Sequence, residues 1–425
     1  MNAIAAIVVF CCVLAIHAED CSTITVDTGG SVDSTGFVSL HGKPKLNSIH
    51  LVDANDAPLH LVGVSSHNIL TFANCYTEAA LQHLVTEWGI TAFRITVYIE
   101  ETDGYLENPS GNDAAIAQII AWCETLGIYA IIDYHVHEIG DPNHYLDYMG
   151  APTGHAVTFW EKQANLYKNK DHVIYEIANE PNNVDWEPNL VAYLNAVIAK
   201  IRAIDSETII IAGVPQWSQA LYYPGEDGGV TNTYNVMYSF HFYAAAHLFL
   251  KDVVEQYSRT LPIFVSEWSP SSWDSVTEPN LPNSDQFLEL FSGTLPNNPQ
   301  KISSTVWNWG DKGGEEVSLL TSGACGTLSW ESLTCSGKYL KNYVRAYRNA
   351  TTAPPTRTPT TFPTFAPSQP TETTAPSVAP TASPTAIPSA APSASPSTPM
   401  PTGYVDSCVA DPSLMVKVQK KTAVP

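Results

Sequence analysis

Basic residues are scarce. The 425-residue chain carries 20 Lys plus Arg against 42 Asp plus Glu, a formal net charge of −22. Phosphate backbones are held by clustered Lys and Arg, and nothing here supplies such a cluster, so a nucleic-acid partner is not expected. Charge of either sign is sparse: 15% of residues are charged and 44% hydrophobic. That balance supports a sizeable core and does not describe a disordered chain. An anionic surface tolerates a neutral partner such as a polysaccharide. Beyond the first 18 residues no apolar run is long enough to span a bilayer. No Cys-x-x-Cys pair marks a zinc site, and no cofactor or metal is expected.

Residues 1–18 have the length and apolar run of a secretory signal peptide, with an uncleaved anchor as the alternative. Cleavage after Ala18 removes Cys11 and Cys12 and leaves no membrane segment. Six cysteines then remain, and secretion makes disulfides the default. Cys325 and Cys335 lie close together in a loop-like stretch and are the expected pair. The other four cannot be paired from sequence. Residues 350–402 are dominated by Pro, Thr, Ser and Ala, with Arg357 and Glu372 the only charges. Such a segment buries no core and is expected to be an extended, O-glycosylated linker. Asn349-Ala350-Thr351 at its start is an N-glycosylation sequon. Residues 403–425 are too few for a domain and are expected to be a stub, the remnant of a truncated module.

The globular part, residues 21–349, alternates between two patterns. Short β-branched and apolar runs fall at 59–66, 92–99, 128–136, 173–180, 208–214, 236–243, 263–269 and 303–310. Runs of this kind suit strands buried on both faces. Helical patterns separate most of them, for example 112–126 before Gly127 as a C-cap, and 187–204. Eight strands in about 300 residues favour a closed (β/α)8 TIM barrel, with a doubly wound sheet as runner-up. The chain is expected to be a monomer.

The chemistry shows at the strand ends. The runs finish in Asp133-Tyr134-His135, Asn179-Glu180-Pro181, His241-Phe242-Tyr243, Glu267-Trp268 and Asn308-Trp309, and Arg94 sits inside the second run. A charge on a buried strand is costly unless paired or functional. In a parallel barrel the C-terminal strand ends share one face, which carries the active site. Two glutamates there suggest acid/base or nucleophilic work, and the aromatics beside them suit the C–H faces of a sugar ring.

These residues carry a resemblance. Gly63-Val64-Ser65-Ser66-His67, Trp88-Gly89-Ile90-Thr91-Ala92-Phe93-Arg94, Ile131-Ile132-Asp133-Tyr134-His135 and Val173 to Pro181 resemble glycoside hydrolase family 5, most closely its endoglucanases. Trp217-Ser218-Gln219, Tyr238 to Tyr243, Phe264 to Trp268 and Trp307-Asn308-Trp309 continue the match in the family's order. The resemblance implies a secreted retaining endo-β-1,4-glucanase with Glu180 as general acid/base and Glu267 as nucleophile. It implies that Asn179 bonds the sugar 2-hydroxyl and that Arg94 and Tyr243 hold Glu267 ionised and aimed. His135 and His241 would contact the substrate and the acid/base, and Trp309 would be the stacking platform at the cleavage subsite. His67, Trp217 and Lys312 would line neighbouring subsites. Retention requires the two carboxyl groups to lie about 5 to 5.5 Å apart.

The chain departs from the family at Thr71, where a subsite Trp is common, and at Tyr134, where Trp is also common. No binding glutamate is assigned in Gly313-Gly314-Glu315-Glu316. Other readings stay open. The same mechanism could act on mannan, xyloglucan or mixed-linkage glucan. A non-catalytic carbohydrate-binding wall protein, or a metal-dependent barrel hydrolase using His135 and His137, are readings of other classes. Glu176 is expected to be a structural ion-pair partner, Glu100, Glu101 and Glu138 to be loop acids, and Trp88, Trp122 and Trp160 to be packing residues.

Overall fold

The computed structural model describes residues 21–352, apart from 28, 31, 137–154 and 294–299. The signal segment, the linker beyond 352, the stub, Cys408, His137 and Glu138 lie outside the described residues. A short hairpin, β1 (Lys45–Asn47) and β2 (His50–Val52), precedes the main sheet. Eight parallel strands follow: β3 (Val62–Ser65), β4 (Ala92–Tyr98), β5 (Tyr129–His135), β6 (Val173–Glu176), β7 (Ile210–Ala212), β8 (Val236–Tyr243), β9 (Ile263–Ser269) and β10 (Ser304–Val306). They close in the order β10-β3-β4-β5-β6-β7-β8-β9. The chain is a (β/α)8 barrel. Its helices include Pro109–Leu126, His155–Tyr167, Val191–Arg202, Leu250–Tyr257, Leu281–Phe291 and Cys335–Thr352.

Local chemistry sets the helix limits. Asn108 accepts from the Gly111 amide as N-cap, Pro109 starts the helix where no amide partner is needed, and Gly127 ends it at φ 72°. Two apolar layers result from strand alternation. Tyr129, Ile131, Ile174, Ile209, Ile211, Met237 and Phe264 pack together with Phe37, Leu59 and Leu61 in one cluster. The intervening residues Phe93, Ile95, Val97, Ile132, Tyr175, Phe240 and Phe242 join the larger cluster shared with the helices. Trp88 and Trp160 are buried in it, and Trp122 packs against it.

The inward column of each strand changes character along its length. On β5 it runs Tyr129, Ile131, Asp133, His135; on β4, Arg94 and Thr96 follow Ala92; on β8, Ser239 and His241 follow Met237. The apolar half plugs the barrel and the polar half opens toward the C-terminal rim.

Two disulfides are described, and they correct the expected Cys325–Cys335 pair. Cys335 bonds Cys21, and Cys325 bonds Cys75. Closeness in sequence misleads here because Cys325 opens a short helix, Ala324–Thr327, packed on the turn Ala73–Cys75, whereas Cys335 starts the terminal helix beside the chain's N-terminal segment. Cys123 is a buried thiol whose burial pushes its pKa up, so it is inert.

Candidate active site

Arg94 organises the rim. It is wholly buried on β4 and its guanidinium reaches five partners, Ser65 Oγ among them at 3.3 Å. Nε donates to Glu176 Oε2 at 2.6 Å and Nη2 to Glu176 Oε1 at 3.2 Å. Nη1 donates to Glu267 Oε2 at 3.1 Å. Nη2 also donates to Asn179 Oδ1 at 2.7 Å and lies 3.0 Å from Asp133 Oδ2. A planar fork with five donors suits this task and a lysine does not. Glu176 is thus the ion-pair partner expected of it, its pKa held down at about 2 because Arg94 and His241 outweigh burial.

Glu267 reaches the cleft through an irregularity in β9. Ser239 pairs with Phe264, but His241 pairs with Glu267, so β9 carries one extra residue between those points. The pairing with β10 shifts as well, with Ser304 opposite Val265 and Val306 opposite Trp268. Strict alternation from Phe264 would turn Glu267 outward and Trp268 inward. The bulge reverses this, as bulges near active sites do. Trp268 goes to the outer core, stacked on Phe242 at 5.4 Å, and Glu267 faces the cleft with Ser266 beside it. Tyr243 on β8 donates its hydroxyl to Glu267 Oε1 at 2.6 Å. Burial raises the Glu267 pKa, the Glu180 charge adds to this, and His241, Arg94 and Tyr243 oppose it.

Glu180 lies past the end of β6. Its side chain is 20% exposed, against 4% for Glu267. His241 Nδ1 meets Glu180 Oε1 at 3.0 Å, and His241 Nε2 meets Ser266 Oγ at 2.9 Å, with Glu176 at 3.7 Å. Burial lowers the His241 pKa, but Glu176, Glu180 and Glu267 outweigh it and lift it to about 9. The ring therefore donates from both nitrogens near neutral pH. One carboxylate oxygen of Glu180, one ring nitrogen of His241 and one oxygen of Glu267 lie within 4.8 Å of one another. The two carboxyls thus face each other across the cleft, close enough to act on the same bond. The same three groups could also face a cation. A second candidate trio, Cys75, Asp311 and Cys325, spends both sulfurs in the disulfide.

The other half of the rim is aromatic. His135 Nδ1 bonds Asp133 Oδ2 at 2.6 Å, fixing which ring edge faces outward. Burial pushes the Asp133 carboxyl well above its usual range, and Glu176 and Glu267 act with it against Arg94. The Trp307 ring stacks on His135 at 5.3 Å with a 4° interplanar angle, and Tyr98 and His67 stack beside them. Phe72 makes an edge contact with His67, which lies two residues past the end of β3, while Thr71 bonds Asp103. Tyr134 points outward onto Phe159, so its departure from the family does not reach the cleft.

Trp309 is not in the cleft, and the expectation that it forms the platform is corrected. It is wholly buried, edge-on to Trp88 at 5.5 Å and near Trp330, with its indole N–H donating to the Cys75 carbonyl. β10 ends at Val306, so no strand period carries the inward face as far as residue 309. Trp307, in the same motif, lies against His135 instead; no sequence signal separates the two tryptophans, because the end of β10 sets which of them faces the rim.

Trp217 and Lys312 lie on the rim. Gln216, Trp217 and Ser218 take consecutive left-handed φ angles of 58°, 55° and 57°. Such backbone persists where surroundings overdetermine it. Here the Trp217 amide donates to the Pro181 carbonyl and Ser218 Oγ to the Asn179 carbonyl. The turn is clamped to the Glu180 segment and presents the half-exposed Trp217 ring. Lys312 is half-exposed and paired with Glu315 at 2.5 Å.

The chain has relatives among known proteins. A model of the cellulase family, glycosyl hydrolase family 5, matches residues 52–313. Endoglucanase 5 of Pectobacterium carotovorum is 34% identical over 317 residues, 73% of this chain and 59% of the relative. Endoglucanase N of Pectobacterium atrosepticum is also 34% identical, over 73% of this chain and 67% of its own length. The chain thus spans about three fifths to two thirds of these relatives. Among solved structures, the catalytic domain of Thermobifida fusca endoglucanase Cel5A superposes with a TM-score of 0.65 at 30% identity, covering 73% of this chain and 99% of that one. A glutamate-to-glutamine variant of that domain is known in complex with cellotetraose, with the same TM-score and coverage. Barrel, carboxylate pair and family match coincide on one stretch of chain: this protein belongs to glycosyl hydrolase family 5, the cellulase family.

Proposed function

We propose that the chain is a secreted, retaining endo-β-1,4-glucanase acting on cellulose or related β-glucans. The observation that carries the reading is the carboxylate pair: Glu180 and Glu267 have oxygens within 4.8 Å, in two different environments. Glu267 is pinned at both oxygens by Arg94 and Tyr243 and has the nucleophile's setting. Glu180 is the more exposed and is bonded to a proton-carrying His241, the setting of a proton shuttle.

In the first step Glu267 attacks the anomeric carbon, and a proton passes from Glu180 to the leaving glycosidic oxygen. A glycosyl ester forms on Glu267 and the shortened chain leaves. Glu180, now ionised, takes a proton from water, which attacks the same carbon and frees Glu267 with net retention. His241 donates to Glu180 and supports its ionised form. Asn179, oriented by Arg94, faces the sugar 2-hydroxyl, and Trp307 with His135 gives the ring its platform. His67, Trp217 and Lys312 border adjoining subsites. No step calls for a cofactor.

Secretion fits the signal-like N-terminus and the two disulfides, which persist in oxidising compartments. Among the described residues no helix is long and apolar enough to cross a membrane. The reading is tested by product analysis on cellulose, mannan, xyloglucan and mixed-linkage glucan, with the anomer followed by NMR. Internal cuts in β-1,4-glucan that release the β-anomer first are expected. Release of the α-anomer first, or preference for mannan, would overturn the mechanism or the substrate respectively.

A further inference from the structure

Outside the cleft the rim carries apolar side chains that the mechanism leaves unused. The described residues include ten exposed large hydrophobics, and five of them stand on three consecutive loops, those after β7, β8 and β9: Trp217, Leu248, Phe249, Trp273 and Val276. Trp217 belongs with the cleft, since its turn is clamped to Pro181. The other four stand further out. From Tyr243, which holds Glu267, ring contacts step outward to His247 at 6.1 Å and on to Phe249 at 6.0 Å. Phe249 is 69% exposed and Trp273 is 61% exposed, against 49% for Trp217.

These rings are held on built loops. Asp274 accepts from the amides of Val276 and Thr277 and from the Thr277 hydroxyl, so its charge is used inside the turn. The Ser275 carbonyl accepts from the Glu316 amide at 2.6 Å, tying the loop to the one after β10. The Ala244 amide donates to Ser269 and the Ala245 amide to Ser271, joining the β8 and β9 loops. Fixed loops that display bare aromatic rings keep the ordering cost of binding low. An exposed hydrophobic standing alone is ordinary, but a group of them on the active face marks a contact surface.

We propose that Phe249 and Trp273, flanked by Leu248 and Val276, bind the surface of insoluble β-1,4-glucan beside the chain being cut. The inference rests on the β-glucan reading of the cleft. Its chemistry is the same: the C–H faces of glucose rings pack on aromatic rings, and an uncharged polymer needs no charged partner. Continuity with the cleft through Tyr243 and His247 places these four side chains where a solid substrate meets the enzyme. Protruding, mostly exposed rings suit a flat surface, whereas a platform for the cleaved chain would be sunk into the groove.

The test uses the full chain and the double variant Phe249→Ala, Trp273→Ala, both at exposed positions. Partition onto microcrystalline cellulose is expected to weaken about tenfold, with the rate on that solid at low loading falling in step. Values of kcat and KM on soluble cellohexaose stay unchanged. The conservative pair Phe249→Tyr, Trp273→Phe keeps solid binding, and Leu40→Ser, an exposed site on the short helix Phe37–His41 before the barrel, has no effect. Unchanged partition in the double variant overturns the proposal, and so does a raised KM on cellohexaose, which would make the rings subsites of the cleaved chain. Failure of the wild-type protein to cut cellohexaose would instead overturn the β-glucan reading itself.

Discussion

Replacing Arg94 with methionine removes the cation that Asp133, Glu176 and Glu267 share. All four side chains are at most 4% exposed, and the three contacts run from 2.6 to 3.1 Å. Breaking one buried pair costs about 3 to 5 kcal/mol, because a charge is left buried and uncompensated. The losses do not add threefold. Burial already drives Asp133 toward its neutral form, Glu176 keeps His241 at 3.7 Å, and Glu267 keeps the Tyr243 hydroxyl. A total of about 4 to 6 kcal/mol is expected, which in a domain of this size lowers Tm at pH 7 by roughly 10 °C. The sign with pH follows from linkage. In the wild type the Glu176 pKa is depressed from 4.5 to about 2, so its contribution is present above 4.5 and lost as pH falls toward 2. In the variant that contribution is gone, and the unpaired carboxyls have raised pKa values that favour the folded state only at low pH. The Tm deficit of Arg94→Met is therefore largest near pH 7 and shrinks at pH 4. Calorimetry of both proteins at the two pH values measures it, and an equal deficit at pH 4 and pH 7 would refute the electrostatic account in favour of lost packing alone.

Glu180→Gln should lower kcat/KM on β-glucan by about 10² to 10⁴, yet keep a burst of nitrophenol from an aryl cellobioside, whose leaving group needs no proton. Loss of the burst would contradict its role. Trp307→Phe should raise KM and lower kcat, whereas Trp309→Phe should lower Tm with KM unchanged, because Trp309 fills the core behind the site; steady-state kinetics beside thermal melts separates them. The His241 pKa is raised from 6.5 to about 9, so its contribution of about 3 kcal/mol is fully present below 6.5 and lost as pH rises through 9. Wild-type stability to denaturant should fall over that window more steeply than that of His241→Gln, and parallel curves would refute the protonated assignment.

The barrel was legible because its strands are buried on both faces and announce themselves as apolar runs. Polar residues concentrated at the ends of those runs pointed to the rim. Two kinds of information were not local. Strands β6 and β10 end earlier than their apolar runs suggest, at Glu176 and Val306, so the side-chain direction of Trp309 could not be extrapolated. The extra residue in β9 turns Glu267 inward, and only pairing with β8 and β10 reveals it. That Glu267 belongs to the cleft was nonetheless readable, since a carboxylate at a buried strand end is costly unless it is paired or functional, and Arg94 supplies the pair. The disulfides were the least legible feature, because pairing follows tertiary contact across 314 and 250 residues of chain.

The central claim is that Glu267 forms a covalent ester during turnover. Incubation with a 2-deoxy-2-fluoro cellobioside bearing a dinitrophenyl leaving group slows breakdown of that ester, and peptide mass spectrometry locates it. One glycosyl unit per chain is expected, on the peptide of strand β9 at Glu267. An adduct on Glu180, or turnover with no adduct and an inverted product, would contradict it.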